Sequence, residues 1–246
     1  IIGKAIIMCT RLVYHGNNII TGFNFDIDLS VWNHRVIEEK ERFYIGILRP
    51  DGIYHSYHGV NQNGNVGTLL YVHGNPAGAF RDSPDCITIA DLAEQFIKAQ
   101  ISFDDALRIV KTKKIIYALD ATMQAMLSDA HGRVLIIEPG IGYREEHKKY
   151  SLITNYSLLK PKSTKNYIVP GDDRYERALQ LLDNYENDFS VSDAFTFLHA
   201  VRQEGAWATR VSFVYSVKEH SVYYVENNQF EHIKKFVFPL AGKEKL

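Results

Sequence analysis

The dipeptide Met8-Cys9 places a cysteine directly after a methionine near the start of the chain. If the mature chain begins at Cys9, the thiol lies beside a free α-amine, whose pKa of about 7.7–8.0 is close to neutral. Such an amine can accept the proton of its own thiol and later give a proton to a leaving amine. The chemistry requires that nothing is attached to the amine. Taken alone, the dipeptide is more typical of an ordinary buried cysteine on a strand.

The residues before Cys9 decide whether its amine is free. Removal of an initiator methionine suffices if translation starts at Met8, whereas native residues 1–7 would require cleavage between Met8 and Cys9. Residues 1–7 are too short for a whole signal peptide, which needs a charged start and an apolar run of about 7–15 residues. We therefore interpret residues 1–8 as a leader, propeptide or tag remnant, and residues 9–246 as a single domain.

The composition excludes several classes of protein. The chain has 246 residues, of which 46% are hydrophobic, so it can bury a real core. A formal net charge of −1 gives no bias towards nucleic acid or an anionic membrane, and no stretch approaches the roughly 20 apolar residues of a membrane span. The two cysteines, Cys9 and Cys86, exclude a disulfide scaffold and favour the reducing cytoplasm.

The order of periodic segments predicts strands, a helix pair, strands, a second helix pair and strands. Residues 8–14 and 19–26 are separated by "HGNN" and read as a hairpin. Thr88 is placed to cap the first helix, and Ser102 with Asp105 resembles a capping box for the second. Each sheet must cover its apolar face, so we expect an α+β fold with two sheets between two helical layers.

The spacing His55-x-x-His58 does not predict a metal site. Residues three apart on a strand point to opposite faces of the sheet, so the two rings cannot meet on one ion. No carboxylate or cysteine stands at a ligand spacing nearby. The chemistry expected for Cys9 needs neither a metal nor a cofactor.

Seven segments of the chain resemble, in the same order, motifs of the choloylglycine hydrolase family. These are the linear amide C–N hydrolases, which include bile salt hydrolases and penicillin V acylases. No single segment is specific, but the ordered set covers most of the chain from Met8 to about Val237. The segments are "MCT", "GFNFDID", "HGVNQNGNVGTLLYV", "MLSDAHGRVLIIEP", "LITN", "DDRYERAL" and "ATRVSFVYSVKEHSVYY".

The resemblance implies a four-layer αββα sandwich of the N-terminal nucleophile hydrolases and a role for each matching residue. Cys9 would attack an amide carbonyl, and Asp26 would orient or hydrogen-bond its amine. The side chain of Asn155 and the backbone N–H of Tyr71 would donate to the oxyanion. Arg174 would complete the charge network around the site. Prepositioned donors of this kind typically contribute several kcal/mol, on the order of 3, to the reaction.

Plainer interpretations of these residues remain open. Asp26 is equally placed to be a solvated acid at the end of a hairpin, and Asn155 and Tyr71 to be turn and core residues. Arg174 has acids close by in sequence with which it could pair at the surface, and Arg177 is a rival for the inward-facing role. The neighbouring acids are Asp172 and Glu176.

One position departs from the family pattern. Phe23 stands where the family usually has an arginine that favours the thiolate, and phenylalanine cannot do so. Arg11 lies two residues after Cys9, and residues two apart on a strand share a face. We therefore predict that Arg11 supplies the missing positive charge.

The expected ligand is a small-molecule N-acyl amide. The resemblance places its acyl group in an apolar pocket formed by loops near residues 24–33, 57–62 and 73–81, with substrate contacts from Phe25, Trp32, Tyr57 and Asn61. The segment between Asn155 and Arg174 is shorter than in typical members, which leaves homo-oligomerisation open. Two other functions stay open as well: a catalytically silent member that binds an acyl amide, and an acyltransferase.

Overall fold

The computed structural model describes residues 7–161, 171–186 and 188–239. Residues 1–6, which form most of the predicted leader, lie outside the described residues. Residues 162–170 also lie outside them, within the segment on which the expectation about oligomerisation rests. No helix in the described ranges is both long enough and apolar enough to cross a membrane.

The helices and strands follow the predicted order. The first strands are β1 (Ile7–His15), β2 (Ile19–Ile27), β3 (His34–Glu39), β4 (Arg42–Leu48), β5 (Tyr54–Asn61), β6 (Val66–Tyr71) and β7 (Cys86–Thr88). The first helix pair is α1 (Ile89–Ile97) and α2 (Phe103–Thr112). The next strands are β8 (Lys114–Ile116), β9 (Met123–Ser128), β10 (Val134–Glu138), β11 (Gly142–Glu146) and β12 (Tyr150–Ile153). The chain continues with α3 (Arg174–Asp183), α4 (Val191–Ala200), β13 (Thr209–Ser216), β14 (Ser221–Glu226) and β15 (Lys234–Val237).

Two large antiparallel sheets form the centre of the molecule. One has the strand order β12-β1-β2-β13-β14-β15, and the other has the order β11-β10-β9-β6-β5-β4-β3. The short strands β7 and β8 form a separate parallel pair. The predicted hairpin is confirmed as the β1–β2 pair, in which Cys9 lies opposite Phe25 and Arg11 lies opposite Phe23.

Alternation along the strands separates two cores. On β1, Cys9 and Val13 belong to the core between the sheets, whereas Leu12 and Tyr14 belong to a core beneath α3 and α4. Helix α1 packs on β5, β6 and β9 of the seven-stranded sheet, and α4 packs on β2 and β13 of the six-stranded sheet. The layers are therefore helix, sheet, sheet and helix, and the predicted αββα sandwich is confirmed.

Both predicted caps at the first helix pair are present. The Thr88 side chain accepts a hydrogen bond from the backbone N–H of Asp91, and Ser102 and Asp105 form a reciprocal capping box. Such caps typically contribute about 1 kcal/mol each. They fix where α1 and α2 begin, and hence where α1 presents its buried side chains to the sheet.

Strands β5 and β6 separate towards the end of the seven-stranded sheet that carries Tyr71. The two strands are paired at Gly59 and Gly67. Further along, the backbone N–H of Leu69 donates instead to Nδ1 of His58, at 3.2 Å. A side chain thus replaces a strand as the partner of this buried N–H group, which satisfies it while the strands diverge.

Glu94 of α1 holds the diverging part of β5 in place. Its Oε1 accepts a hydrogen bond from the backbone N–H of Ser56 at 3.0 Å, and its Oε2 lies 2.9 Å from Nδ1 of His55. The pKa of Glu94 is below its usual value because His55, Ser56 and Lys98 outweigh the opposing effect of burial. The separation of β5 from β6 is therefore built by charged and polar contacts.

Alanine at Gly59 should destabilise the fold more than alanine at its cross-strand partner Gly67. A methyl group on Gly59 would lie 2.5 Å from the Phe43 carbonyl oxygen and 2.5 Å from Tyr44 Cβ, which cannot move without disturbing β4. On Gly67 it would meet the Ile97 side chain at 2.9 Å, and that side chain can rotate. We expect Gly59→Ala to lower the free energy of unfolding by about 1–3 kcal/mol in urea denaturation, and Gly67→Ala by less. Equal losses would contradict this account.

Candidate active site

Cys9 lies in the middle of the sandwich on β1, with none of its surface exposed. Its backbone N–H donates a hydrogen bond to Oδ1 of Asn155 at 2.7 Å. Asn155 follows the end of β12, which is the neighbour of β1 in the sheet. The sequence thus brings the predicted nucleophile and a predicted oxyanion donor together across 146 residues of chain.

The amide group of Asn155 is held from both ends. Its Oδ1 also accepts a hydrogen bond from Nη2 of Arg174 at 3.0 Å, and its Nδ2 donates to the carbonyl oxygen of Tyr71 at 2.8 Å. Two donors therefore face the oxygen and an acceptor faces the nitrogen, which fixes the orientation of the amide. The contact made by Tyr71 here is through its carbonyl, and the predicted role of its N–H group stays a prediction.

Arg174 is the first residue of α3, and its side chain is fully buried. Its guanidinium binds Asp172 through Nε at 2.8 Å and Nη2 at 2.7 Å, and it donates through Nη1 to Oδ2 of Asp26 at 3.2 Å. Nη1 also lies 3.4 Å from the carbonyl oxygen of Cys9. Arg174 is thus the inward-facing arginine, and it connects the β1–β2 hairpin with the start of α3.

The rival for that role faces the surface. Arg177 forms an exposed ion pair with Asp173, with Nε and Oδ1 3.0 Å apart. Asp172 was considered in the sequence as a surface partner of Arg174. It does pair with Arg174, but as part of the buried network that also contains Asp26.

Asp26 is fully buried at the end of β2. Its Oδ1 accepts a hydrogen bond from the Thr209 hydroxyl at 2.7 Å, and its Oδ2 faces Arg174. Burial raises the pKa of Asp26 to about 7, because it outweighs the opposing effects of Arg174 and Thr209, and Asp172 raises it further. Asp26 can therefore hold a proton near neutral pH although it faces Arg174.

The surroundings of Cys9 favour the protonated thiol. Burial raises the pKa of Cys9 well above its ordinary value, and the charge of Asp26 adds to the rise. A hydrogen bond from the Asp26 backbone and the charge of Arg174 lower the pKa by smaller amounts. Since the thiolate is the nucleophile, a buried and protonated thiol does not attack a carbonyl at neutral pH.

Arg11 lies on the predicted face of β1 and directly opposite Phe23. It is fully buried, and its guanidinium donates to the Leu12 carbonyl and, at 2.8 Å, to the Ser128 hydroxyl. Burial lowers the pKa of Arg11 to about 9. Among the described residues no carboxylate forms an ion pair with Arg11, so a positive charge without a counterion lies between the sheets.

The four predicted substrate contacts fall in two places. Trp32 and Tyr57 line a cavity of about 30 Å³ where β5 and β6 separate. Phe25 is fully buried, and its ring lies 4.9 Å from that of His58, which also lines this cavity. The side chain of Asn61 instead bonds the backbone of the turn after β5, accepting from the N–H groups of residues 63 and 65.

Three residues of the site were not predicted in these roles. Thr209 donates a hydrogen bond to Asp26, and its position at the start of β13 was the only feature of the sequence that pointed to this role. Asp172 binds Arg174 in the interior, whereas the sequence offered it only as a possible partner at the surface. His58 was considered as half of a metal site and instead faces the inter-sheet core. The described residues contain no group of three or more His, Cys, Asp or Glu side chains arranged to hold a metal ion.

Comparison with solved structures relates this geometry to known enzymes. No protein-family model and no curated protein matches the sequence. A mutant of the conjugated bile acid hydrolase from Clostridium perfringens matches with a TM-score of 0.66 and 13% identity, over 94% of this chain and 92% of that one. Penicillin V acylase from Agrobacterium tumefaciens matches with a TM-score of 0.59 and 17% identity, over 89% and 83%.

A third structure extends the comparison to an animal enzyme. The Caenorhabditis elegans ortholog of N-acylethanolamine-hydrolyzing acid amidase matches with a TM-score of 0.58 and 14% identity, over 94% of this chain and 100% of that one. The chain has the fold of these amide hydrolases. The predicted resemblance is therefore confirmed at the level of the fold.

The pKa of Asp26 predicts a pH dependence of stability. Its value of about 7 in the folded chain exceeds the ordinary value of 3.8, so between these pH values the folded state holds more protons than the unfolded state. The free energy of unfolding should therefore fall as pH rises through this window and level off above it, by a few kcal/mol in order of magnitude. We expect Asp26→Asn to flatten the decline in Tm between about pH 5 and pH 8.

Asp28→Asn provides the control for this measurement. Asp28 lies just after the end of β2 and is partly exposed, and its own pKa is below the ordinary value because it accepts hydrogen bonds from Ser30. Its replacement should leave the decline between pH 5 and pH 8 unchanged, since the acid is ionised in both states there. A decline that persists undiminished in Asp26→Asn would show that another group causes it.

Proposed function

We propose that this protein is an N-terminal cysteine hydrolase of linear, non-peptide amides. The observation that supports it most is the contact between the backbone nitrogen of Cys9 and Asn155, within a buried network that also holds Asp26 and Arg174. In a chain that begins at Cys9, this nitrogen is the α-amine. The same contacts would then hold the base of the reaction beside the thiol that it activates.

The reaction follows from those positions. The Cys9 amine takes the thiol proton, and the sulfur attacks the amide carbonyl to give a tetrahedral oxyanion. The Asn155 side chain and the Tyr71 backbone N–H are the proposed donors to that oxyanion. Its collapse breaks the C–N bond, the amine leaves with the proton, and a thioester on Cys9 remains. Water, activated by the same amine, then releases the acid and restores the thiol. No cofactor takes part in these steps.

Removal of residues 1–8 is a necessary part of the proposal. In the described chain Met8 is buried and pairs with Asp26 in the β1–β2 ladder, so the Met8–Cys9 peptide bond lies inside the sheet. Cleavage there would convert an amide nitrogen into an amine and uncover one side of Cys9. The buried, protonated thiol of the described chain fits a precursor.

The substrate is a small-molecule N-acyl amide whose acyl group enters the apolar cavity beside Trp32 and Tyr57. The cavity belongs to the core cluster that also contains Cys9, because Leu69 and Met123 belong to both. We infer a cytoplasmic enzyme from the low cysteine content, and neither nucleic acid nor a membrane is part of the proposal. An acyltransferase would use the same thioester with an amine in place of water.

Arg11 is proposed to favour the thiolate in the processed enzyme. In the described state it contacts Ser128 and Leu12, but it lies on the face of β1 that carries Cys9 and opposite Phe23, where the family pattern has the cation. Arg11→Met should therefore slow alkylation of Cys9 by iodoacetamide at pH 7, by about tenfold for each unit that the thiol pKa rises. Arg11→Lys, which keeps a positive charge, should lower the rate of Cys9 alkylation less than Arg11→Met does. Alkylation of a folded Arg11→Met protein at the unaltered rate would exclude this role.

The direct test of function compares a protein that begins at Cys9 with one that retains residues 1–8. We expect the first to release amine from chromogenic N-acyl amides, and Cys9→Ala in the same background to lose at least about a thousandfold in rate. The protein with the leader should be inactive. Hydrolysis that is unaffected by Cys9→Ala would contradict the proposal.

Two added measurements separate the alternatives. A thiol-reactive probe that fails to label Cys9 in the processed protein would indicate a catalytically silent member. Added acceptor amines that increase consumption of substrate and yield new amides would indicate an acyltransferase.

A further inference from the structure

The cavity between β5 and β6 is apolar on most sides. Its lining includes Trp32, Tyr57, Leu69, Ala90 and Met123. At about 30 Å³ it has room for little more than one water molecule as it stands. Any larger group would therefore need the cavity to widen.

An ion pair borders the cavity at a point where it can widen. Arg49 and Asp120 both line it, with their Nη2 and Oδ2 atoms 2.5 Å apart, and the Arg49 guanidinium lies 5.4 Å from the centre of the Trp32 ring. Asp120 is partly exposed, and ion pairs of this kind typically contribute about 0–1 kcal/mol. The pair can therefore separate at little cost and without breaking a strand.

Two exposed apolar side chains are next in sequence to residues that line the cavity. Leu119 is 80% exposed and lies between Ala118 and Asp120, and Val31 is 50% exposed and precedes Trp32. Exposed apolar residues next to a pocket favour an apolar group that passes over them. Both features fit an acyl chain that enters beside the ion pair.

His58 is a polar exception in this apolar lining. It is 1% exposed, and its ring lies 5.3 Å from the Phe23 ring and 4.9 Å from the Phe25 ring. Because Nδ1 accepts the hydrogen bond from Leu69, a neutral ring must carry its proton on Nε2. Burial lowers the pKa of His58 to about 3, so the ring is neutral at physiological pH.

The Nε2–H group of His58 has no hydrogen-bond acceptor among the described residues. Its Nδ1, in contrast, accepts a hydrogen bond from the backbone N–H of Leu69. Because His58 lines the cavity, a ligand or water inside it can accept a hydrogen bond from this donor. The His58 ring contacts Phe25, which pairs with Cys9 across the β1–β2 ladder.

We propose that His58 determines substrate specificity by donating a hydrogen bond from Nε2 to an oxygen atom within the acyl group of the substrate. The inference rests on the proposed function, because it takes the cavity as the acyl site. It narrows the substrate class to N-acyl amides whose acyl group carries an ether, keto or hydroxyl oxygen. An acyl chain made of carbon alone would leave the donor unsatisfied.

The test uses amides of one chromogenic amine whose acyl chains have equal length. One ether oxygen replaces a methylene group at successive positions, and an all-carbon chain is the reference. In protein that begins at Cys9, we expect one position of the oxygen to raise kcat/KM by about threefold to tenfold. A smooth dependence on oxygen position, with no preferred member, would overturn the proposal.

Two isosteric variants separate ligand binding from a purely structural role. His58→Asn keeps an acceptor near the position of Nδ1 for the Leu69 N–H and removes the donor at Nε2. His58→Gln keeps a donor near the position of Nε2 and removes that acceptor. We expect the oxygen preference, measured as the ratio of kcat/KM between the ether and all-carbon amides, to disappear in His58→Asn and to persist in His58→Gln. The reverse pattern would show that His58 acts only on the backbone of β6.

A binding measurement distinguishes failure of this inference from failure of the proposed function. The free acids of the same series are titrated calorimetrically into the Cys9→Ala protein, which needs no turnover. Tighter binding of one ether acid, abolished by His58→Asn, supports the role of His58 even if no amide is hydrolysed. Equal affinities across the series overturn it even if the all-carbon amide is a good substrate.

Discussion

The buried guanidinium of Arg174 is the interaction on which the site depends. It contacts Asp172 in front of α3, Asp26 on β2, Asn155 after β12 and the carbonyl oxygen of Cys9 on β1. One side chain therefore connects the β1–β2 hairpin, the segment after β12 and the start of α3. Removing one partner of such a buried pair typically costs about 3–5 kcal/mol, because the remaining charge has no counterion. Burial raises the pKa of Asp26 to about 7 and the pKa of Cys9 well above its ordinary value, and the charge of Arg174 offsets only part of each rise.

The separation of β5 from β6 creates the cavity through which the seven-stranded sheet takes part in the proposed function. A continuous sheet would leave no space between β5 and β6, because backbone hydrogen bonds would fill every ladder position. Here His58 and Glu94 satisfy the backbone N–H groups of Leu69 and Ser56 in place of a strand. Polar side chains thereby permit an apolar cavity within the seven-stranded sheet. Phe25 connects that cavity with Cys9, since its ring contacts His58 and its backbone pairs with β1.

Local features of the fold could be predicted from the sequence, whereas contacts across the sandwich could not. The hairpin that carries Cys9 and the capping box at Ser102 depend on residues within a few positions of each other, and both are present. The contact between Asn155 Oδ1 and the Cys9 nitrogen was not predicted, and the expected role of Asp26 at a free Cys9 amine stays a prediction. Which of two buried polar groups reaches one atom depends on the register of β12 against β1, and no short motif encodes that. His58 was assigned to the correct strand, but its environment depends on the divergence of β5 from β6.

The central claim is that Cys9 carries the acyl group during turnover. Protein that begins at Cys9 would be mixed with an N-acyl amide, quenched in acid within the first turnovers and measured by intact mass spectrometry. The account predicts an added mass equal to the acyl group minus one hydrogen, mapped to Cys9 and removed by neutral hydroxylamine. It also predicts that Cys9→Ala shows no such adduct. Steady release of amine without an acyl adduct in the wild-type protein, or an adduct that persists in Cys9→Ala, would contradict it.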